Sequence, residues 1–249
     1  TEPNLTYTPD PGFTGTDSFT YFVTDGTMTS KTATVKIVVI PESSMLGPNA
    51  SLIRFMDDAR LDGLTNFPVL VKLDPGSMPG FDYEQFSSAN GGDLRFSDVT
   101  GTQELNFEIS SWDTNGISQV WVQVPEMQSG AGIWVYWGSP TETNLPAYTS
   151  NGATWDENYI GVWHLDETSG TDIYDSTANQ NHGYKKAAAE PAVTSGAVGG
   201  AQHWDGVNDW IDIPDDPTLD VTNQFTISFF AQLNQGQSAL HRPLISRKF

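Results

Sequence analysis

The sequence predicts an all-β fold, several small sandwiches in tandem, and three features carry that expectation. Apolar and polar residues alternate in run after run, the two-residue period of a strand with one buried face. Breakers cut the runs throughout, with 23 glycines and 15 prolines in 249 residues, as short strands joined by tight turns require. Aromatic residues make up 12% of the chain and belong to the class that fits a pleated, half-buried surface.

Residues 1–40 read as the end of a sandwich. Phe19, Tyr21 and Val23 share one face of a strand, Ser18, Thr20 and Thr24 the other, and the run closes on Asp25-Gly26. In the next run Ala33, Val35, Ile37 and Val39 point one way. A lone hairpin is marginal in water, so earlier strands are expected ahead of Thr1, making the chain an interior piece of a longer polypeptide. Residues 41–50 form a breaker-rich linker.

From 51 to 157 the pattern restarts, with strands expected at 68–74, 92–98, 105–112, 119–125 and 132–138. Val120, Val122 and Val124 share one face, and Trp121 and Gln123 the other. Ile133-Trp134-Val135-Tyr136-Trp137 is apolar on both faces, as befits a central strand covered on both sides. Residues 158–249 form the last unit, with strands expected at 225–231 and 243–246.

Particular motifs in each unit resemble known families. Gly12-Phe13-Thr14-Gly15-Thr16-Asp17-Ser18-Phe19 resembles the tandem cadherin-like or bacterial immunoglobulin-like repeats of large secreted adhesins. Gly92-Asp93-Leu94-Arg95-Phe96-Ser97-Asp98, Gln119-Val120-Trp121-Val122-Gln123-Val124-Pro125 and Ile133-Trp134-Val135-Tyr136-Trp137-Gly138 make 51–157 similar to a bacterial family known as domain of unknown function 2341. That likeness implies a β-sandwich on extracellular proteins and no known reaction. Val162-Trp163-His164-Leu165-Asp166-Glu167, Asp175-Ser176-Thr177-Ala178-Asn179-Gln180-Asn181-His182-Gly183 and Asp205-Gly206-Val207-Asn208-Asp209 resemble the opening half of a laminin-G-like, concanavalin A-like jelly roll. The likeness implies a calcium-holding module that meets glycans or protein partners. Half a jelly roll would expose its core, so either more chain follows Phe249 or a neighbouring chain completes the fold by strand addition.

Composition narrows the function classes. Lys and Arg total 11 against 31 Asp and Glu, a formal net charge of −20. Such a field repels nucleic acid and anionic membrane surfaces and attracts cations. Without cysteine there is neither a disulfide framework nor a thiolate metal site, and no run reaches the roughly 20 apolar residues of a membrane span.

Candidate sites follow from residue chemistry. Asp175, Asn179 and Asn181 offer the hard oxygens calcium prefers, and the jelly-roll resemblance favours one structural ion held by this loop. The alternative is that these side chains only bond turn amides. Asp205 and Asp209 form a second candidate cluster, for which a tight turn around Gly206 is the competing role. His164, His182, His203 and His241 show no zinc spacing. There is no Gly-x-Ser-x-Gly elbow, and the adjacent pairs Asp166-Glu167 and Asp215-Asp216 cannot face one cleft as glycosidase acids must. Glu108 stands on a strand without an evident partner. Among Trp112, Trp121, Trp134, Trp137, Trp204 and Trp210, Trp121 is the first choice for a sugar platform, because its strand turns the valines away from it.

The expected role is therefore non-catalytic: an extracellular adhesion or carbohydrate-binding segment of a large bacterial surface or secreted protein, stabilised by Ca2+, with a glycan or surface protein as partner. The alternatives are a filament or sheath subunit that self-associates through its incomplete β-domains, and an accessory module of a polysaccharide-degrading enzyme.

Overall fold

The computed structural model describes residues 5–11, 13, 15–39, 46–55, 63–78, 80–128, 131–222, 224–232 and 245–246, and all its extended elements are β-strands. At the N-terminus β1 (Gly15–Tyr21) pairs antiparallel with β2 (Ala33–Val39), Phe19 opposite Val35 and Tyr21 opposite Ala33. Asp25 builds the turn between them. Its Oδ1 accepts from the Thr27 and Met28 amides at 2.8 Å each, and Gly26 supplies the positive φ of +89° that the turn needs. Asp17, on β1, accepts from the Tyr7 hydroxyl at 2.8 Å.

The second unit is a sandwich of two three-stranded antiparallel sheets. One has the order β3 (Asn49–Arg54), β8 (Gly132–Trp137), β5 (Arg95–Asp98); the other has β4 (Leu64–Leu73), β7 (Ser118–Met127), β6 (Phe107–Ser111). Alternation decides what lies between them: Val120, Val122 and Val124 of β7 and Ile133, Val135 and Trp137 of β8 join Leu94, Phe96, Leu105 and Phe107 in one buried core. The five strands expected in this unit are all present. Pro68 falls on β4, an edge strand of its sheet, where a missing amide donor is tolerated. On the outer side of β8, Tyr136 is buried beside Ser97 at 3.1 Å and the Trp134 indole donates to the Val99 carbonyl, so this strand is covered on both faces as expected.

One strand begins inside the stretch expected to be linker. Asn49 and Ala50 already pair with Trp137 and Tyr136. Gly47 brings the chain in so closely that a Cβ there would sit 2.6 Å from the Trp137 carbonyl oxygen. Two breakers, Gly47-Pro48, conceal the start of β3 from pattern reading.

The C-terminal unit has short strands. β9 (Asp172–Ile173), β10 (Gly183–Lys185) and β13 (Ile211–Asp212) form a sheet in the order β13-β10-β9, and β11 (Ala192–Ser195) pairs with β12 (Gly200–His203). The strand expected at 225–231 is absent as a strand. Phe225, Ile227 and Phe229 alternate as a strand requires, but they and Phe230 are more than half exposed, and no described residue pairs with them. Extended backbone without a neighbouring ladder has no partner but water for its amides and carbonyls. Of the strand expected at 243–246, residues 243 and 244 lie outside the described residues.

Candidate functional site

The outer face of β7 is where the second and third units meet. Trp121 and Glu108 are directly opposite across β7 and β6, and Trp155, His164 and Ser176 from the following segment lie against them. Trp155 packs on Trp121 with ring centroids 5.4 Å apart, and His164 stacks on it at 6.3 Å. Farther along, the Gln119 side-chain oxygen accepts from the Gly199 amide at 2.7 Å, and Asn106 donates to the Ala153 carbonyl at 3.0 Å. Trp121, expected as a sugar platform, thus has its indole nitrogen buried beneath the third unit, without a hydrogen-bond partner.

Glu108 has partners that the sequence did not reveal. Its Oε2 accepts from the Trp155 indole at 2.6 Å and its Oε1 from the Ser176 hydroxyl at 2.7 Å. His164 Nε2 lies 3.2 Å from Oε1, off the hydrogen-bond axis, and both side chains of this ion pair are under one-fifth exposed, 18% for Glu108 and 15% for His164. Burial raises the Glu108 carboxyl pKa, but contact with His164 and the donors Ser176 and Trp155 outweigh it and hold the group below its usual value. Burial lowers the His164 pKa, and Glu108, aided by Asp166 and Glu167, more than reverses this. Each partner therefore favours the charged form of the other. The only sequence signal was an acid on a strand beside aromatic residues.

The structure draws Asp175 and Asn181 into one buried loop. Asp175 Oδ1 accepts from the Val162 and Thr177 amides at 2.8 and 3.0 Å, and Oδ2 from the Thr177 hydroxyl and the Asn181 amide at 2.8 and 2.9 Å. An ion at this carboxylate would have to displace one of these four donors. Asn179 and Asn181 both aim their amide nitrogens at the Ile160 carbonyl, at 3.0 and 3.1 Å, and Asn181 also meets the Thr218 hydroxyl. Asp205 and Asp209 stand apart from that loop as a turn of their own: Asp209 Oδ2 accepts from the Asp205 amide and Asp205 Oδ1 from the Val207 amide, around Gly206 at φ +75°. Among the described residues no three His, Asp or Glu side chains gather as a metal-binding group.

The remaining tryptophans sort by exposure. Trp137 is fully buried, and the Trp112 indole is tied to the Ala89 carbonyl. Trp204 and Trp210 stay open to solvent, as do Tyr174 and Tyr184. Tyr184 and Trp210 meet edge to face at 5.6 Å, and Tyr174 and His182 at 5.3 Å.

Architecture and site together define a tandem all-β module, tied internally by buried polar contacts and bearing open aromatic side chains on its last unit. Residues 1–38 match the family model of the bacterial Ig domain, and residues 90–181 match that of a domain of unknown function, DUF2341. No curated protein and no solved structure matches the chain. The second match runs through the expected boundary at 157 and takes in His164 and the Asp175 loop, the segment that covers Glu108 and Trp121. The laminin-G-like resemblance of the C-terminal residues has no counterpart in these two matches. A bacterial Ig domain points to an extracellular or surface protein, and no helix among the described residues is long and apolar enough to cross a membrane.

Proposed function

We propose that the chain is a non-catalytic, glycan-binding segment of a large bacterial surface or secreted protein, in which the first two sandwiches carry a laminin-G-like recognition unit outward. The bacterial Ig match ahead of a second sandwich carries this reading, because stacked sandwiches of this kind act as spacers that present a terminal module. The state of the buried acids supports the non-catalytic part. Glu108 and Asp175 are both engaged by protein donors, so neither is free to pass a proton or attack a substrate. The charge of −20 supports a partner that is neither nucleic acid nor an anionic membrane. The test is a glycan array probed with the labelled chain, together with a reducing-end assay on each bound polysaccharide. Binding without release of reducing ends is expected. Release of reducing ends would convert the reading into an enzyme, and a blank array would end it.

One observation favours a second reading, a structural subunit completed by a neighbouring chain. Phe225, Ile227, Phe229 and Phe230 present apolar side chains without a partner strand among the described residues, the arrangement that strand addition would cover. Light scattering after size exclusion separates the two readings: a concentration-dependent polymer supports the subunit, and a monomer the binding segment.

A further inference from the structure

We infer that the outer face of the β9–β10–β13 sheet is a platform for an uncharged polysaccharide, with Tyr174, His182, Tyr184 and Trp210 as its rings. This rests on the reading of the chain as a glycan-binding segment and gives that reading a site.

Strand register puts the residues together. Tyr184 is directly opposite Asp172 on one side and Asp212 on the other, so all three side chains leave the sheet on the same face. Two residues along each strand direction the alternation returns to that face, which adds Tyr174 just past β9, His182 ahead of β10 and Trp210 ahead of β13. The opposite face is the buried one, with Ile173 fully covered and Lys185 nearly so. The rings nevertheless stay in water: Tyr174 is 54% exposed, Tyr184 41% and Trp210 43%. Four rings on one short sheet, held out of the core that Ile173 occupies, form a patch of the kind that marks an interaction surface.

The polar groups select the ligand. The Tyr184 hydroxyl donates to Asp212 Oδ2 at 3.0 Å, which fixes its ring beside a carboxylate with acceptor capacity to spare. The Asp175 amide donates to His182 Nδ1 at 3.0 Å, so in this contact Nδ1 is the bare nitrogen and Nε2 carries the proton. Each ring pair therefore sits beside groups that accept from, or donate to, hydroxyls. Lys186, the cation just past β10, is held by Glu190. A face bearing Asp172 and Asp212 with its lysine engaged repels anionic ligands, which removes uronic-acid and sulfated chains. Apolar ring faces flanked by hydroxyl-binding groups match a pyranose, which is apolar on its flat sides and hydroxylated at its edge. His182 and Tyr184 are one two-residue repeat apart along the β10 direction, about 6.8 Å, with Tyr174 level with the first and Trp210 one position past the level of Lys185 by the strand register, an open row that suits consecutive units of a chain. They pair edge to face with each other and do not enclose a point, as a cage for an ammonium group would.

The test is affinity electrophoresis and calorimetry of the full chain with laminarin and galactomannan as neutral probes, polygalacturonate and hyaluronan as acidic ones, and tetramethylammonium as a competitor. Trp210→Ala and Tyr174→Ala are expected to weaken binding of a neutral polysaccharide at least tenfold each, and the double variant to abolish it. Tyr21→Ala, at an exposed ring on β1, is expected to change nothing, and near-ultraviolet circular dichroism of each variant confirms that it is folded. Neutral binding that survives both substitutions overturns this site and leaves the glycan-binding reading intact. No neutral binding by the unmodified chain overturns both. Preference for polygalacturonate or hyaluronan, or displacement by tetramethylammonium, overturns the assignment of ligand class.

Discussion

Replacing Glu108 with alanine is expected to destabilise the chain by about 4 kcal/mol, the cost of stranding the partners of a buried carboxylate. The Trp155 indole and the Ser176 hydroxyl each donate to this ionised group, and hydrogen bonds to a charged acceptor contribute roughly 1.5–3 kcal/mol each. His164, where protonated, loses its counter-ion in the same step. For a chain of this size about 4 kcal/mol corresponds to roughly 8–16 °C in the unfolding midpoint. Glu108→Gln keeps an acceptor for one of the two donors and removes the charge, so it should lose about half as much. Urea unfolding followed by tryptophan fluorescence reads the effect directly, since Trp121 and Trp155 lie in contact beside the site. If Glu108→Ala falls within about 1 kcal/mol of the parent, the cluster does not tie residues 155–176 to β6 and the account of the interface fails.

Three further outcomes follow from the same contacts. The Glu108–His164 pair gives stability a pH window: the Glu108 contribution is present above its unfolded value of 4.5 and is lost as pH falls through the lowered folded value, whereas that of His164 is full below 6.5 and is lost as pH rises through the raised one. Unfolding midpoints across pH should therefore show a contribution greatest between those two values, and His164→Gln should flatten the alkaline limb; an unchanged limb would mean the imidazole carries no charge there. Gly152→Ala meets the Ala178 backbone amide nitrogen at 2.3 Å at a φ of +88°, whereas Gly170→Ala, at +77°, meets nothing within 4 Å. Both should lose the ~1–2 kcal/mol of a left-handed non-glycine residue, and Gly152→Ala should lose ~1–3 kcal/mol more, measured by chemical denaturation, with equal losses counting against the close packing of this turn on the Asp175 loop. Asp175→Asn replaces acceptor capacity for four donors with a single oxygen and should lose roughly 3–5 kcal/mol. Millimolar calcium should leave the parent's midpoint unchanged, and a clear rise that Asp175→Asn abolishes would show that the carboxylate binds the ion in preference to its amides.

What the sequence made legible was whatever depends on short range. The valines of β7 and the doubly apolar β8 are written in consecutive residues, and both fall where alternation puts them. β3 escaped because Gly47-Pro48, which reads as linker, leads straight into the ladder. Residues 225–231 carry a strand pattern that the structure leaves unpaired, since a pattern states which face would be buried and not whether a neighbour exists to bury it. The reading of Glu108 as partnerless failed for a different reason. Its donors lie 47 and 68 positions away, a separation that no window along the chain spans.

That separation also explains why Trp121 reads so plausibly as an open platform. Turning the valines inward leaves Gln119, Trp121 and Gln123 on the outer side, and in a solitary sandwich that side faces water. Here each has a definite partner: Gln119 holds the Gly199 amide and Trp121 lies under Trp155 and His164, both on later segments, and Gln123 accepts from Asn106, just ahead of β6, which also reaches Ala153. An amphipathic outer face of this composition suits docking better than a purely apolar one, because its amides fix the position of the incoming backbone while the indole supplies buried area. The matched stretch 90–181 contains β5 to β8 and the residues from 155 to 164 that cover the β7 indole, so β7 and its cover fall within one family model, whereas β3 and β4 lie ahead of it. The open rings of Tyr174, Tyr184 and Trp210 lie on or beside a separate sheet, β13-β10-β9, and stay in water because the strand register turns them to the face opposite buried Ile173.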